Sequence, residues 1–288
     1  MSMWVDLLGS QIHYCGREFR TRVIEAGEGT PLILIHGLGG HAEAYSRNLT
    51  RLGQHYRALA IDLVWHGFSS KPPFNGDTLP TYARQVIDLL DSLDLESAHV
   101  EGTSLGGAVG IWLALHYPTR LKKLILTMPA GIRYGSGSIS SPPPHRRPEA
   151  LRDRAIKIVE EPTRENIRSR LEKFMASPDR VTDELVEIRW KLFADPSVRK
   201  SLTRVFENSF GLGTSANFQI PEEDLSKIKN PTLLLWGGRN EGAGPDVGQR
   251  IASLIPEGQF VCIEDGAHWV QWEQPELHDR LVISFLKE

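Results

Sequence analysis

Three short stretches of the chain carry residue types whose spacing can do covalent chemistry. The first is Gly102-Thr103-Ser104-Leu105-Gly106, with Gly107 following. It lies between an apolar run with strand character and an apolar run with helical character. A serine in G-x-S-x-G at such a junction sits on a sharp turn that lifts its hydroxyl clear of the backbone. Side chains two residues away would collide there, hence the glycines. The start of the following helix offers free N–H groups and a favourable dipole to a developing anion. The second stretch, His36-Gly37-Leu38-Gly39-Gly40, directly follows the run Leu32-Ile33-Leu34-Ile35. Its glycines let a backbone approach a substrate closely. The N–H groups of Leu38 and Leu105 are the candidate oxyanion donors, and Gly37 and Thr103 the candidate walls beside them. The third is Asp265-Gly266-Ala267-His268-Trp269. A serine is a weak nucleophile until a base takes its proton, and His268 is placed to do so. Each stretch also has a plain structural reading: a Gly-rich turn, a tight strand-to-helix loop, one of ten histidines. The order serine, then histidine after the last strand, favours the chemical one.

Holding these groups together requires strands that end where the motifs begin. Apolar runs at 32–35, 57–61, 98–102, 123–127, 232–236 and 259–263 predict strands, and 19–25 alternates as a half-buried strand would. Amphipathic or apolar segments at 80–93, 105–117 and 275–286 predict helices between and after them. Continuous apolar strands separated by helices imply a mostly parallel sheet covered on both faces. Residues 135–148 are rich in Gly, Ser and Pro and predict a loop or hinge. Residues 149–206 contain 13 Lys/Arg and 11 Asp/Glu, have helical periodicity and show no strand signal. They predict a solvated helical insertion, which over an α/β sheet can act as a lid.

Composition excludes several other classes. The chain has 288 residues, a formal net charge of −3, 40% hydrophobic and 24% charged residues. Bulk disorder is not expected, and without a basic excess neither is nucleic-acid binding. Two cysteines, Cys15 and Cys262, cannot build a disulfide framework or a Cys-rich zinc site and suit the cytoplasm. No run approaches the roughly 20 apolar residues of a membrane span. The first residues lack a signal-peptide pattern.

In this order, the three motifs resemble those of the α/β-hydrolase superfamily. Asp62-Leu63-Val64-Trp65-His66-Gly67-Phe68-Ser69 is similar to its D-x-P-G-x-G-x-S loop, with Val64 and Trp65 in place of Pro and Gly. The resemblance implies a single α/β-hydrolase core at 1–131 and 216–288, an eight-stranded, mostly parallel sheet, and a helical cap inserted at 132–215. It also implies a triad acid in a segment like W-G-x-x-D-x-x-x-P. In Trp236–Pro245, anchored on the proline and allowing one extra glycine, that position falls on Glu241, with Asp246 as the substitute. Residues 163–192 together with 268–273 look more narrowly like the meta-cleavage product hydrolases. Those enzymes split a C–C bond in 2-hydroxy-6-oxo-dienoates without a cofactor or metal. The likeness implies Arg189 and Trp269 at the substrate's anionic end. Thr103 and Ala44 stand where that family carries asparagines. A carboxylesterase or lactonase, or a non-catalytic binding protein on the same scaffold, are the competing readings. The expected partner is a small anionic dienoic acid, with no nucleic acid or membrane; homo-oligomerisation is left open.

Overall fold

The computed structural model describes residues 2–74, 76–134, 148–209 and 219–288. The predicted loop at 135–148 falls almost wholly outside the described residues. After a short helix α1 (Met3–Asp6), strands β1 (Gln11–Cys15), β2 (Thr21–Ala26) and β3 (Pro31–Ile35) lead to α2 (Ser46–Leu52). Then come β4 (Arg57–Ile61), α3 (Thr78–Ser92), β5 (Ala98–Thr103), α4 (Leu105–His116) and β6 (Leu121–Thr127). A two-residue strand β7 (Ile132–Arg133) precedes four helices: α5 (Pro148–Glu160), α6 (Arg164–Glu172), α7 (Asp183–Ala194) and α8 (Pro196–Glu207). Strand β8 (Ile220–Pro221) pairs with β7, and β9 (Thr232–Gly237), α9 (Pro245–Leu254), β10 (Gly258–Ile263), α10 (Val270–Glu273) and α11 (Pro275–Lys287) complete the chain.

The main sheet has eight strands in the order β1-β2-β4-β3-β5-β6-β9-β10. β1 and β2 are antiparallel to their neighbours and the rest are parallel. The central strands are buried along their whole length, as their unbroken apolar runs require. One face packs on α3, α4 and α9; the other packs on α2 and α11. From β3 the chain goes first to β4 on one side and then to β5 on the other. The order reverses between β3 and β5, and in open α/β sheets the crevice beyond the carboxyl ends at such a reversal is where ligands bind. The motifs carrying Gly37 and Ser104 follow β3 and β5.

Helices α5 to α8 form an apolar cluster of their own. The first turns of α6, α7 and α8 are defined by side chains. Thr163 accepts from the N–H of Asn166, Thr182 from that of Leu185, and Asp195 from those of Ser197 and Val198. Such caps are each worth about 1 kcal/mol and offset a low apolar content. Three residues from outside this stretch, Met3, Trp269 and Trp272, belong to this helical cluster. The helices are therefore seated on the segment that carries His268.

Candidate active site

Ser104 has φ 55° and ψ −112°, a left-handed backbone that a non-glycine residue adopts at a cost of about 1–3 kcal/mol. Its surroundings enforce that geometry. Its N–H donates to the Thr127 carbonyl at 3.0 Å, and its own carbonyl accepts from Ala108 and Ala130. A Cβ on Gly102 would lie 2.0 Å from the Gly106 carbonyl oxygen, and one on Gly106 would lie 2.2 Å from that of Ile35. The spacing of the elbow is thus dictated by backbone touching backbone. Leu105 is the first residue of α4, so its N–H has no acceptor within the helix.

The loop after β3 lies against this turn. A Cβ on Gly37 would stand 3.2 Å from the Ser104 Cβ and 3.7 Å from its Oγ. His36 locks the loop. Its Nε2 accepts from the Leu63 N–H at 3.1 Å, which makes Nδ1 the protonated nitrogen donating to the Gly37 carbonyl at 2.7 Å. Burial holds His36 well below the usual histidine range, so it is a neutral strut. Below the loop, Arg22 pairs with Glu43 at 2.6 Å and with Asp62 at 3.3 Å, and Asp62 accepts from the N–H groups of Ala42 and Phe68. Trp65 stands where the resembling motif has glycine, and it takes the left-handed conformation with φ 64°. Its buried ring packs on Phe74 and Tyr82, and its Nε1–H donates to the Pro72 carbonyl at 2.8 Å.

His268 is held from the helical layer as much as from the core. Its N–H donates to the Phe174 carbonyl at 3.0 Å, and its ring lies 5.3 Å from the Phe174 ring. The neighbouring Ala267 N–H donates to Glu273 at 2.7 Å. The same carboxylate accepts from the Ala176 N–H at 2.6 Å and from Arg180 at 3.0 Å. Arg180 in turn bonds the carbonyl and the carboxylate of Asp265. Burial pushes His268 down to about 4, leaving it neutral and able to accept a proton at ordinary pH.

The acid expected at Glu241 is not brought to this ring. Among the described residues no carboxylate hydrogen-bonds His268, and Glu241 and Asp246 are both exposed. The reason is local. The Trp236 Nε1–H and the Asn240 side-chain amide both donate to the Ala243 carbonyl, at 3.1 and 3.0 Å. The Gly-rich loop is pulled closed on itself, and Glu241 sits on its outer side.

Arg189 is brought in, and deeply. It is 2% exposed, and its Nη1 donates to the Gly39 carbonyl. Its guanidinium lies 5.6 Å from the Trp269 ring, and Trp269 stacks with Phe174 at 6.2 Å. Its Nε and Nη2 are buried without a partner among the described residues. Burial, reinforced by the charge of Arg170, pushes Arg189 down to about 9. Thr103 points the other way: its hydroxyl meets Tyr45 at 2.9 Å inside the core, so only its backbone faces Gly37. Contacts thus run from Ser104 through the Gly37–Gly39 loop to Arg189, Trp269 and His268. Phe174, Phe206 and Arg170, which line this path, were not singled out from sequence. The one signal was that Arg170 and Phe174 stand four apart at the end of a helical pattern, and so share a face.

The chain matches the α/β hydrolase fold family over residues 30–275. A 2-hydroxy-6-oxononadienedioate/2-hydroxy-6-oxononatrienedioate hydrolase of Comamonas testosteroni is 30% identical over 273 residues, covering 93% of this chain and 91% of the relative. A 2-hydroxy-6-oxo-6-phenylhexa-2,4-dienoate hydrolase of Burkholderia cepacia is 29% identical over the same shares. Among solved structures, a meta-cleavage product hydrolase from Pseudomonas fluorescens, complexed with acetates, superposes with a TM-score of 0.80 at 26% identity, covering 98% of each chain.

Proposed function

Given that the chain belongs to the α/β hydrolase fold family, we propose that it hydrolyses a C–C bond in a 2-hydroxy-6-oxo-dienoate. The observation that carries this reading is Arg189: a buried guanidinium with two unpartnered nitrogens, tied to the loop beside the nucleophile. A desolvated, half-satisfied guanidinium is costly unless a bound anion completes it, and its planar fork suits a carboxylate.

In this reading His268 moves a proton as the dienol becomes the ketone, C5 gaining the hydrogen that the 2-hydroxyl loses. Ser104, or a water it orients, then adds to the C6 carbonyl, and His268 takes the proton of the attacking hydroxyl. The N–H groups of Leu38 and Leu105 receive the oxyanion. Breaking the C5–C6 bond returns the electron pair to the dienoate fragment, and water completes a carboxylic acid at C6. Arg189 holds the anionic end, with Trp269 and the Gly37 and Thr103 backbones as walls. Residues 132–215 act as the cap, the working pair is Ser104–His268, and the expected compartment is the cytoplasm.

The test is the absorbance decay of a coloured 2-hydroxy-6-oxo-dienoate mixed with purified protein. The wild type clears it; Ser104→Ala and His268→Ala slow clearance by about 10³-fold or more. Arg189→Gln loses about 30-fold or more on this acid but only a few-fold on a neutral p-nitrophenyl ester, because a buried charge pair is worth about 2–5 kcal/mol. Ester hydrolysis with no dienoate cleavage would replace this reading with a carboxylesterase.

A further inference from the structure

A second guanidinium points at the same place and is used by nothing described so far. Arg170, near the end of α6, lies 5.6 Å over the Phe174 ring and 5.4 Å over the Phe206 ring. Both rings face the proposed site. Phe174 packs on His268 and Trp269, and a Cβ on Gly39 would touch the Phe206 ring at 3.0 Å. Gly39 is also the residue whose carbonyl takes Arg189. Arg170 therefore lies against two rings, one packed on the His268–Trp269 segment and the other on Gly39, whose carbonyl takes Arg189. Among the described residues it makes no hydrogen bond and no ion pair, and Arg154 and Lys173 add further positive charge beside it. The carboxylate that acts on Arg189, Glu43, is already committed to Arg22 and His41. Arg189 is buried and Arg170 half-buried; two guanidinium groups this close without counter-charge repel each other, and a ligand bringing two negative charges stabilises the arrangement.

We propose that Arg170 is a second anion-reading residue of this cleft, so that with Arg189 it selects a small dianion over a monoanion. This rests on the reading of Arg189 as the anchor for the substrate's carboxylate. A 2-hydroxydienoate supplies the second charge when its enol oxygen, one carbon away from the carboxylate, is ionised. Arg170 then favours the ionised dienolate of the substrate, and the shorter dienolate fragment left when the C5–C6 bond breaks carries the same pair of charges. No bond to Arg170 forms or breaks; its role is to bind and select.

The experiment is calorimetric titration of the whole protein with malonate and with acetate at pH 7, which needs no turnover. The wild type is expected to bind malonate at least about 20-fold more tightly than acetate. Arg170→Met should reduce that ratio to about threefold or less while moving acetate affinity by no more than about twofold. Arg170→Lys, which keeps the charge, should recover part of the ratio, and it serves as the reading if the methionine variant fails to fold. Arg189→Met should weaken both anions. A wild type without preference, or an unchanged ratio in Arg170→Met, overturns the proposal. Cleavage of the dienoate by the wild type with an unchanged ratio in Arg170→Met would sink this inference alone. Dianion selection without any cleavage would sink the hydrolase reading and leave Arg170's role standing.

Discussion

The base proposed for this site is unusual in the groups around its ring. His268 is kept neutral by burial, down to about 4, and no carboxylate among the described residues touches its ring. Glu241 is therefore expected to matter little: Glu241→Gln should change kcat by less than about threefold, where removal of a true triad acid costs about 10⁴-fold. The acid limb of kcat/KM, where His268 gains its proton, should fall well below pH 6.5 in both proteins, because the charged ring is the form that burial disfavours. A limb near 6.5, or a collapse in Glu241→Gln, would show that the loop turns a carboxylate inward during turnover. The places of Ser104, on the turn after β5, and of His268, after the last strand, were legible in sequence because their signals are local: glycines at fixed offsets and a position after a strand. Glu241 was not, because two hydrogen bonds to one carbonyl, that of Ala243, decide which way a Gly-rich loop faces. Spacing from Pro245 carries no trace of them.

At the scale of elements, the apolar strands were legible and the polar ones were not. β1, with Gln11, His13 and exposed Ile12 and Tyr14, is an edge strand whose pattern is half solvent, and sequence reading passed over it. Short α2 and α9 were missed for want of enough turns to show a period. The periodicity of 149–206 predicts the helices found there, while its charge density predicts solvated faces and concealed that Arg170, Arg180 and Arg189 turn inward. Arg180 belongs to a staple between the helical layer and the His268 loop, in which fully buried Glu273 receives Ala176, Ala267 and Arg180. Glu273→Gln removes the charge from that junction and leaves one oxygen for three donors. It should lower unfolding stability by about 2 kcal/mol or more, read by urea titration. It should also lower kcat more than it raises KM, because Ala267 precedes His268, the proposed base. An unchanged kcat would make the staple purely a matter of packing.

Across the whole molecule, a buried chain of charge runs behind the sheet. His278 on α11 meets Glu101 of β5 at 2.8 Å and Asp279 at 3.0 Å, all three side chains without solvent exposure. Asp279 also accepts from Asn48 and pairs with Arg51 on α2. Burial alone would lower His278, but the two carboxylates raise it to about 10, so both ring nitrogens donate and the ring is an imidazolium. Its folded pKa lies above the unfolded value near 6.5. The stability it contributes is therefore complete below about pH 6.5 and is lost as pH rises toward 10. The melting temperature should fall over that interval in the wild type, and His278→Gln should flatten this part of the profile. An equally steep fall in the variant would assign the effect elsewhere.

The bond from the His268 N–H to the Phe174 carbonyl has a mechanical meaning. The backbone that presents the base hangs from the roof above it. Phe174 directly follows α6, so under the proposed function a displacement of that helix that broke this bond would also carry the aromatic ring away from the imidazole. Under that proposal, access to Ser104 and the placing of His268 would be coupled through this one bond.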